Sequence, residues 1–405
     1  MRIGIVTTWF ERGAAYVSRA YRDVLVEAGH DVYIFARGGE NRGMPTLGWD
    51  QDFVTWGHYF EESAMRIDER EFKSWLECRG IEIILYNEQQ SWEAVLFANK
   101  CRIPSVAYVD YYTKETVPFF DLYDGLICNT KRHYSVFESH PGSIYIPWGT
   151  DVDIFKPMED KLDRNSIVFF HSAGMGGLGM RKGTDLLLRA FSQVKGNAKL
   201  IIHSQVSANS LGDCAKYIED DPRVDFIHKT VSAPGLYSLG DIYVYPSRLD
   251  GIGLTIAEAL ASGLAVITTD SAPMNEFVVT GCNGSLVDVE RSSYRFDDYF
   301  WPETECSIAH LTETMQKYVD NPDRVNTEKD AARQFALDRL SWNKNSKNIL
   351  SFFEKMADVK VVSKKYLPVY DDAIIKSLWD REEKYQKIRS IFYRLKRKLR
   401  RMVFK

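Results

Sequence analysis

The stretch YVYPSRLDGIGLTIAEALASGLAVITTD, residues 243–270, reads as strand, loop, helix, strand. Short apolar runs at 242–245 and 265–268 flank a helix-like segment at 254–262, the order that joins parallel strands through a crossover helix. Its loop, Asp250-Gly251-Ile252-Gly253, sets two glycines before the helix. Backbone amides there can approach a ligand without a Cβ in the way, at the positive end of the helix, which favours an anion such as phosphate. Asp250 lies before the helix and Glu258 about one turn inside it, near the same end. Carboxylates do little for a phosphate, but they accept hydrogen bonds from the hydroxyls of an attached sugar or ribose. The plainer alternative makes Asp250 a helix cap and Glu258 a solvated residue. Against it, Glu258 is embedded among Ala257, Ala259, Leu260 and Ala261.

The same alternation extends in both directions. Strand-like runs at 167–171, 199–204, 224–227 and 285–287 complete one doubly wound α/β domain over 151–340. Runs at 3–8, 31–36, 81–86, 105–109, 125–128 and 143–146, with a helix-like 14–28 after the first, predict another over 1–150. The Pro- and Gly-marked segment 147–157 connects them. A helical crossover is expected over 341–380, and a basic tail over 381–405. Open α/β sheets bind ligands beyond the carboxyl ends of their strands, so two such domains predict a cleft between them.

Composition agrees with compact domains: 45% of the 405 residues are hydrophobic and 27% charged. No run approaches the roughly 18 apolar residues of a membrane span, and MRIGIVTTWF opens as a strand rather than a cleavable signal, so a cytoplasmic protein is expected. Cys78, Cys101, Cys128, Cys214, Cys282 and Cys306 are scattered, with no C-x-x-C pair. They read as reduced structural thiols, and no metal ligand set is visible. The net charge of −4 hides a tail of eleven Lys or Arg against two Glu over 381–405. In it Ile388, Ile391, Phe392, Leu395, Leu399 and Met402 recur at helical spacing among cations. Such a helix suits an anionic membrane surface; nucleic acid is not expected, because no aromatic-rich recognition module accompanies the charge.

FFHSAGMGGLGMRKGTDLLLRAF, residues 169–191, also runs from a strand into a helix, and Gly174, Gly176 and Gly179 satisfy G-x-G-x-x-G. Taken alone this is a dinucleotide fingerprint, with hydride transfer as the competing chemistry. The fingerprint expects an acid at the end of the next strand, where this chain has His203-Ser204-Gln205.

Together these segments resemble retaining glycosyltransferase family 4, which has the GT-B fold. The donor-binding motif of that family has two glutamates separated by seven residues, and this chain has Asp250 in place of the first. The resemblance implies that Asp250 and the amides of Gly251, Ile252 and Gly253 hold donor-sugar hydroxyls. It gives the diphosphate to the amides of Leu254 and Thr255, and the ribose to Glu258. Lys182-Gly183 matches the family's Lys-Gly at the start of a helix, so Lys182, with Arg181 as substitute for the usual arginine, is the expected cationic partner of the leaving diphosphate. Gly13, in Trp9-Phe10-Glu11-Arg12-Gly13-Ala14, matches a glycine-rich turn that touches donor phosphate and acceptor. The stretch 107–112 lacks the family's frequent histidine, leaving Asp110, Tyr111 and Tyr112 as residues of the acceptor side or of the packing. The segments 270–277 and 147–157 resemble the family's donor-side and interdomain segments.

The expectation is a hexosyltransferase that moves a sugar from a nucleoside-diphosphate sugar, with retention and without metal, to a glycan or a polyprenyl- or lipid-linked acceptor. The tail would place it peripherally on the inner face of a membrane. A catalytically silent sugar-nucleotide binder is the alternative, and a nicotinamide-dependent oxidoreductase a remoter one.

Overall fold

The computed structural model describes residues 1–10, 13–37, 48–60, 65–89, 91–158, 166–174, 181–295 and 297–359. The tail helix expected over 381–405, Glu11 and Arg12, and Gly176 and Gly179 of the glycine run lie outside these. The chain divides into two units. The first comprises Met1–Cys128, His133–Tyr145 and the segment from Ser346; the second comprises Asn129–Arg132 and Ile146–Asn345.

The first unit is built on seven parallel strands: β1 (Arg2–Thr7), β2 (Asp31–Ala36), β3 (Val54–Trp56), β4 (Ile83–Asn87), β5 (Ser105–Tyr108), β6 (Gly125–Cys128) and β7 (Ser143–Tyr145). Their order is β3-β2-β1-β4-β5-β6-β7. The chain starts in the middle, winds outward one way, then crosses back and winds the other, the doubly wound pattern. Helices α1 (Gly13–Glu27), α2 (Glu69–Arg79), α3 (Trp92–Lys100) and α4 (Lys131–Phe137) accompany the sheet. Because helices cover a parallel sheet, β4, β5 and β6 are buried throughout and read as predominantly apolar runs.

The second unit repeats the plan with β8 (Ile167–Gly174), β9 (Ala198–Ser204), β10 (Val224–His228), β11 (Ile242–Tyr245), β12 (Ala265–Thr269) and β13 (Gly284–Val287), ordered β10-β9-β8-β11-β12-β13. Its helices are α5 (Thr184–Phe191), α6 (Lys216–Glu219), α7 (Leu254–Ala261), α8 (Ile308–Asp320), α9 (Asp323–Arg339) and α10 (Trp342–Asn345). Period-2 alternation sorts the strand residues between two cores. Phe169, Ile242 and Val244 pack with α5 and α8 through Leu187, Phe191 and Leu311. Phe170, Tyr243 and Tyr245 pack on the other face with Ile256, Leu260 and Ala332 of α7 and α9. One strand, β11, thus turns two tyrosines, Tyr243 and Tyr245, to the face covered by the helix that carries Glu258.

Two features depart from the sequence expectation. β3 is half-buried and only three residues long, too short for a periodic signal. An antiparallel pair, β14 (Val289–Ser293) and β15 (Glu303–Cys306), follows the second sheet. β14 is polar and mostly exposed, so no hydrophobic pattern announces it. Within the expected crossover segment, α10 belongs to the second unit while α11 (Lys347–Ala357) belongs to the first, where Phe352 and Met356 press on the Cβ-less face of Gly125.

All six cysteines are unpaired. Cys128 and Cys306 are buried structural thiols, each pushed up to about 12 by burial. Cys78, Cys101 and Cys282 are exposed, which corrects the expectation for them. Among the described residues no helix is long and apolar enough to cross a membrane.

Candidate functional site

The carboxyl end of β11 runs into the loop that opens α7, and the segment Arg181-Lys182-Gly183 that opens α5 lies against it. Gly183 explains how closely. Its φ is 70°, in the left-handed region, and a Cβ there would overlap the carbonyl oxygen of Pro246. The two segments are further stitched by the Arg248 amide and the Ser247 hydroxyl, both donating to the Arg181 carbonyl at 2.8 and 3.1 Å. Arg248 fixes the same junction from the side. Its buried guanidinium donates two parallel bonds to Asp185 in α5, at 2.8 and 2.9 Å, and a third to Glu305 in β15 at 3.1 Å. The unforeseen β14–β15 pair therefore braces the loop.

With the loops in this register, Lys182 meets Asp250. The ammonium donates to Asp250 Oδ2 at 2.7 Å, with both side chains largely buried. Tyr245, wholly buried, donates its hydroxyl to the same carboxylate oxygen and accepts from Lys182. Its ring centroid lies 4.6 Å from the ammonium, within cation–π range. The other oxygen, Oδ1, accepts the amides of Ile252 and Gly253 at 3.3 and 3.1 Å. Burial works against the charge of Asp250, but Lys182, Arg181 and these hydrogen bonds hold its carboxyl below the usual carboxylate range. Asp250 is thus a cap for its own loop and the partner of Lys182 at once, and the amides of Ile252 and Gly253 point to it rather than to open space. Arg181 itself is exposed.

Gly253 ends the loop at φ 84°, and no side chain caps the first turn of α7. The amides of Leu254 and Thr255 open that turn, the disposition that receives an anion. One turn further, Glu258 is partly buried and its Oε2 accepts the Tyr237 hydroxyl at 2.6 Å. Burial pushes the Glu258 carboxyl up to about 7, against the pull of Tyr237 and Lys182. Beside it opens a cavity of about 230 Å³, lined among others by Ser172, Gly174, His203, Gln205, Tyr237 and Glu258. His203 is held by Ser172 at 3.2 Å and by the Lys229 carbonyl at 2.9 Å. Deeper in, His171 sits between the Val244 carbonyl and Thr184, each at 2.8 Å, and burial first of all lowers it to about 4, so it is a neutral brace.

The second unit therefore brings together Lys182, Asp250, Gly251, Ile252, Gly253, Leu254, Thr255 and Glu258, with Arg181 at the edge. Gly13 belongs to the first unit, as the first residue of α1, where a Cβ would meet open space. Tyr112 is a core residue of that unit, packed on Phe120 and Phe137 with its hydroxyl 2.9 Å from His133. The segment 270–277 holds a short 3₁₀ turn after Pro273, and Glu276 at its end accepts the amides of Lys131 and Arg132 at 2.7 and 2.9 Å. For the dinucleotide reading, β9 ends in His203 and Ser204 with no acid, and α5 begins at Thr184 rather than at the glycines. Tyr237 and Tyr245 were not singled out from the sequence. The signal for Tyr245 was the pair Tyr243/Tyr245 on one face of a buried strand, where apolar β-branched residues are the usual occupants.

Residues 169–295 match the family model described as Glycosyl transferases group 1. Among curated proteins, the lipopolysaccharide core biosynthesis mannosyltransferase LpcC of Rhizobium leguminosarum bv. viciae is 30% identical over 177 residues, covering 40% of this chain and 50% of that protein. The MMP alpha-(1->4)-mannosyltransferase of Mycolicibacterium hassiacum is 22% identical over 215 residues, covering 52% and 47%. The chain thus spans about half the length of the curated relatives it matches. Among solved structures, sucrose-phosphate synthase from Thermosynechococcus elongatus aligns with TM-score 0.70 at 16% identity, over 88% of this chain and 99% of that one. Anabaena HepE in complex with UDP and glucose aligns with TM-score 0.65 at 16% identity, over 88% and 100%. The fold is GT-B, two Rossmann-like domains, and the residues that match the group 1 glycosyl transferase model lie in the second of them.

Proposed function

We propose that this protein is a retaining glycosyltransferase that moves a hexosyl group from a nucleoside-diphosphate sugar to a glycan or lipid-linked glycan acceptor. The observation that carries the proposal is the opening of α7, which lies inside the matched segment. There the Lys182 ammonium, the uncapped amides of Leu254 and Thr255 and, one turn on, the Glu258 carboxyl gather at one helix end, and Thr255 and Glu258 line a cavity of about 230 Å³. The nucleoside occupies the cavity with its ribose hydroxyls on Glu258. The diphosphate lies on the amides of Leu254 and Thr255 and on Lys182. In the reaction the bond from the sugar C1 to the diphosphate oxygen breaks, its electron pair leaving with the phosphate. The acceptor hydroxyl forms the new bond at C1 on the same face and gives up its proton to the departing phosphate oxygen. Donors already aimed at that oxygen are worth roughly 3 kcal/mol each in the transition state.

The names of the relatives suggest mannose and glucose donors as the first to try. Screening the purified protein against nucleotide sugars, with release of nucleoside diphosphate as readout, tests the reading. Turnover of one donor, and calorimetric binding of its nucleoside diphosphate but not of NAD, is the expected result. Binding of a donor with no hydrolysis or transfer to any acceptor gives the silent-binder alternative instead. Metal independence belongs to the proposal, and turnover unchanged in a chelator checks it. The basic segment 381–405 is proposed to hold the enzyme on an anionic membrane surface.

A further inference from the structure

The acid expected to read the donor sugar has no free capacity to do so. Asp250 Oδ1 is taken by the amides of Ile252 and Gly253, and Oδ2 by Lys182 and Tyr245. A carboxylate accepts about four hydrogen bonds, so this one is filled. The cation offered to a diphosphate is, in turn, already neutralised. With Asp250 at 2.7 Å and both groups buried, the field of Lys182 is largely cancelled before any ligand arrives. Tyr245 holds the two together, being bonded to both and locked by stacking on Tyr243, with ring centroids 5.6 Å apart at an interplanar angle of 19°.

We propose that Asp250 is an internal counter-anion of Lys182 rather than a reader of the donor sugar, and that Tyr245 is the positioning residue that keeps the pair closed. A diphosphate entering the site must then share the ammonium with a like-charged carboxylate, and after transfer Asp250 takes Lys182 back and helps the diphosphate leave. The inference rests on the donor-site reading given above. It predicts that removing the charge of Asp250 strengthens diphosphate binding.

Calorimetry with UDP, GDP, UDP-glucose and GDP-mannose on the full chain separates the possibilities. Asp250→Asn keeps the size and an amide-accepting oxygen but loses the charge. It should bind the diphosphate preferred by the wild type about tenfold more tightly, bind the matching nucleotide sugar more tightly as well, and turn over more slowly because product is retained. Tyr245→Phe keeps both charges and loses the hydroxyl, so it should shift diphosphate binding the same way, by roughly threefold. An unchanged affinity for the diphosphate in both variants, with the nucleotide sugar alone weakened in Asp250→Asn, overturns the proposal. If the wild type binds none of the four probes, the donor-site reading fails first.

Discussion

At the residue scale, Glu258 carries the clearest consequence. Its carboxyl is raised to about 7 by burial, so the folded protein holds a proton there that the unfolded chain releases near the ordinary glutamate value. Stability from this group is therefore full below the unfolded value and lost as pH rises through about 7. Glu258→Gln should match the wild type in acid and exceed it above pH 7, by about 1–3 kcal/mol in urea denaturation. Binding runs the other way, since the ionised carboxylate is the stronger acceptor of ribose hydroxyls. Nucleotide-sugar affinity should rise between pH 6 and 8 in the wild type and stay flat in Glu258→Gln. A nucleotide sugar is the right probe because its diphosphate does not titrate in this range. Lys182→Ala, which removes the cation proposed to meet the leaving diphosphate, should lower turnover by roughly 100-fold, measured as diphosphate release. Of this site, Asp250, Lys182 and Glu258 were legible as chemistry at a helix start. Their pairing was not, because Lys182 and Tyr245 meet Asp250 from 68 and 5 positions away and only the fold sets that meeting.

Among the elements, legibility followed burial. Strands covered on both faces, such as β6 and β11, stand out as apolar runs, and their observed bounds coincide with the expected 125–128 and 242–245. β14, with its exposed ERSS, had no such mark, yet β15 beside it supplies Glu305 to Arg248 and so braces the loop that opens α7. Cutting that brace tests its role. Arg248→Ala leaves Asp185 without its bidentate partner and should cost roughly 2–4 kcal/mol, read as a lowered urea midpoint. Gly183→Ala acts at the same junction through the backbone. It forces a Cβ onto the Pro246 carbonyl at a left-handed φ, and should destabilise by about 2–4 kcal/mol while removing Lys182 from Asp250.

For the whole molecule, two alternating α/β halves were foreseeable from the strand-helix rhythm, and the two units follow it. A helical crossover was expected over 341–380, and α11 belongs to the first unit after α10 in the second; which sheet α11 covers was not legible, since an amphipathic helix does not declare it. The basic segment 381–405 adds a prediction of its own: the full chain should pellet with liposomes rich in anionic lipid, and a chain ending at 380 should not. The proposed activity stands on the opening of α7 as a donor site. The most direct test is calorimetric titration of UDP-glucose and GDP-mannose, with UDP, GDP and NAD alongside, into the wild type and Glu258→Ala. It predicts that one nucleotide sugar and its diphosphate bind the wild type and fail to bind the variant, while NAD binds neither. Binding of a nucleotide sugar to both proteins alike, or of NAD to the wild type, would contradict it.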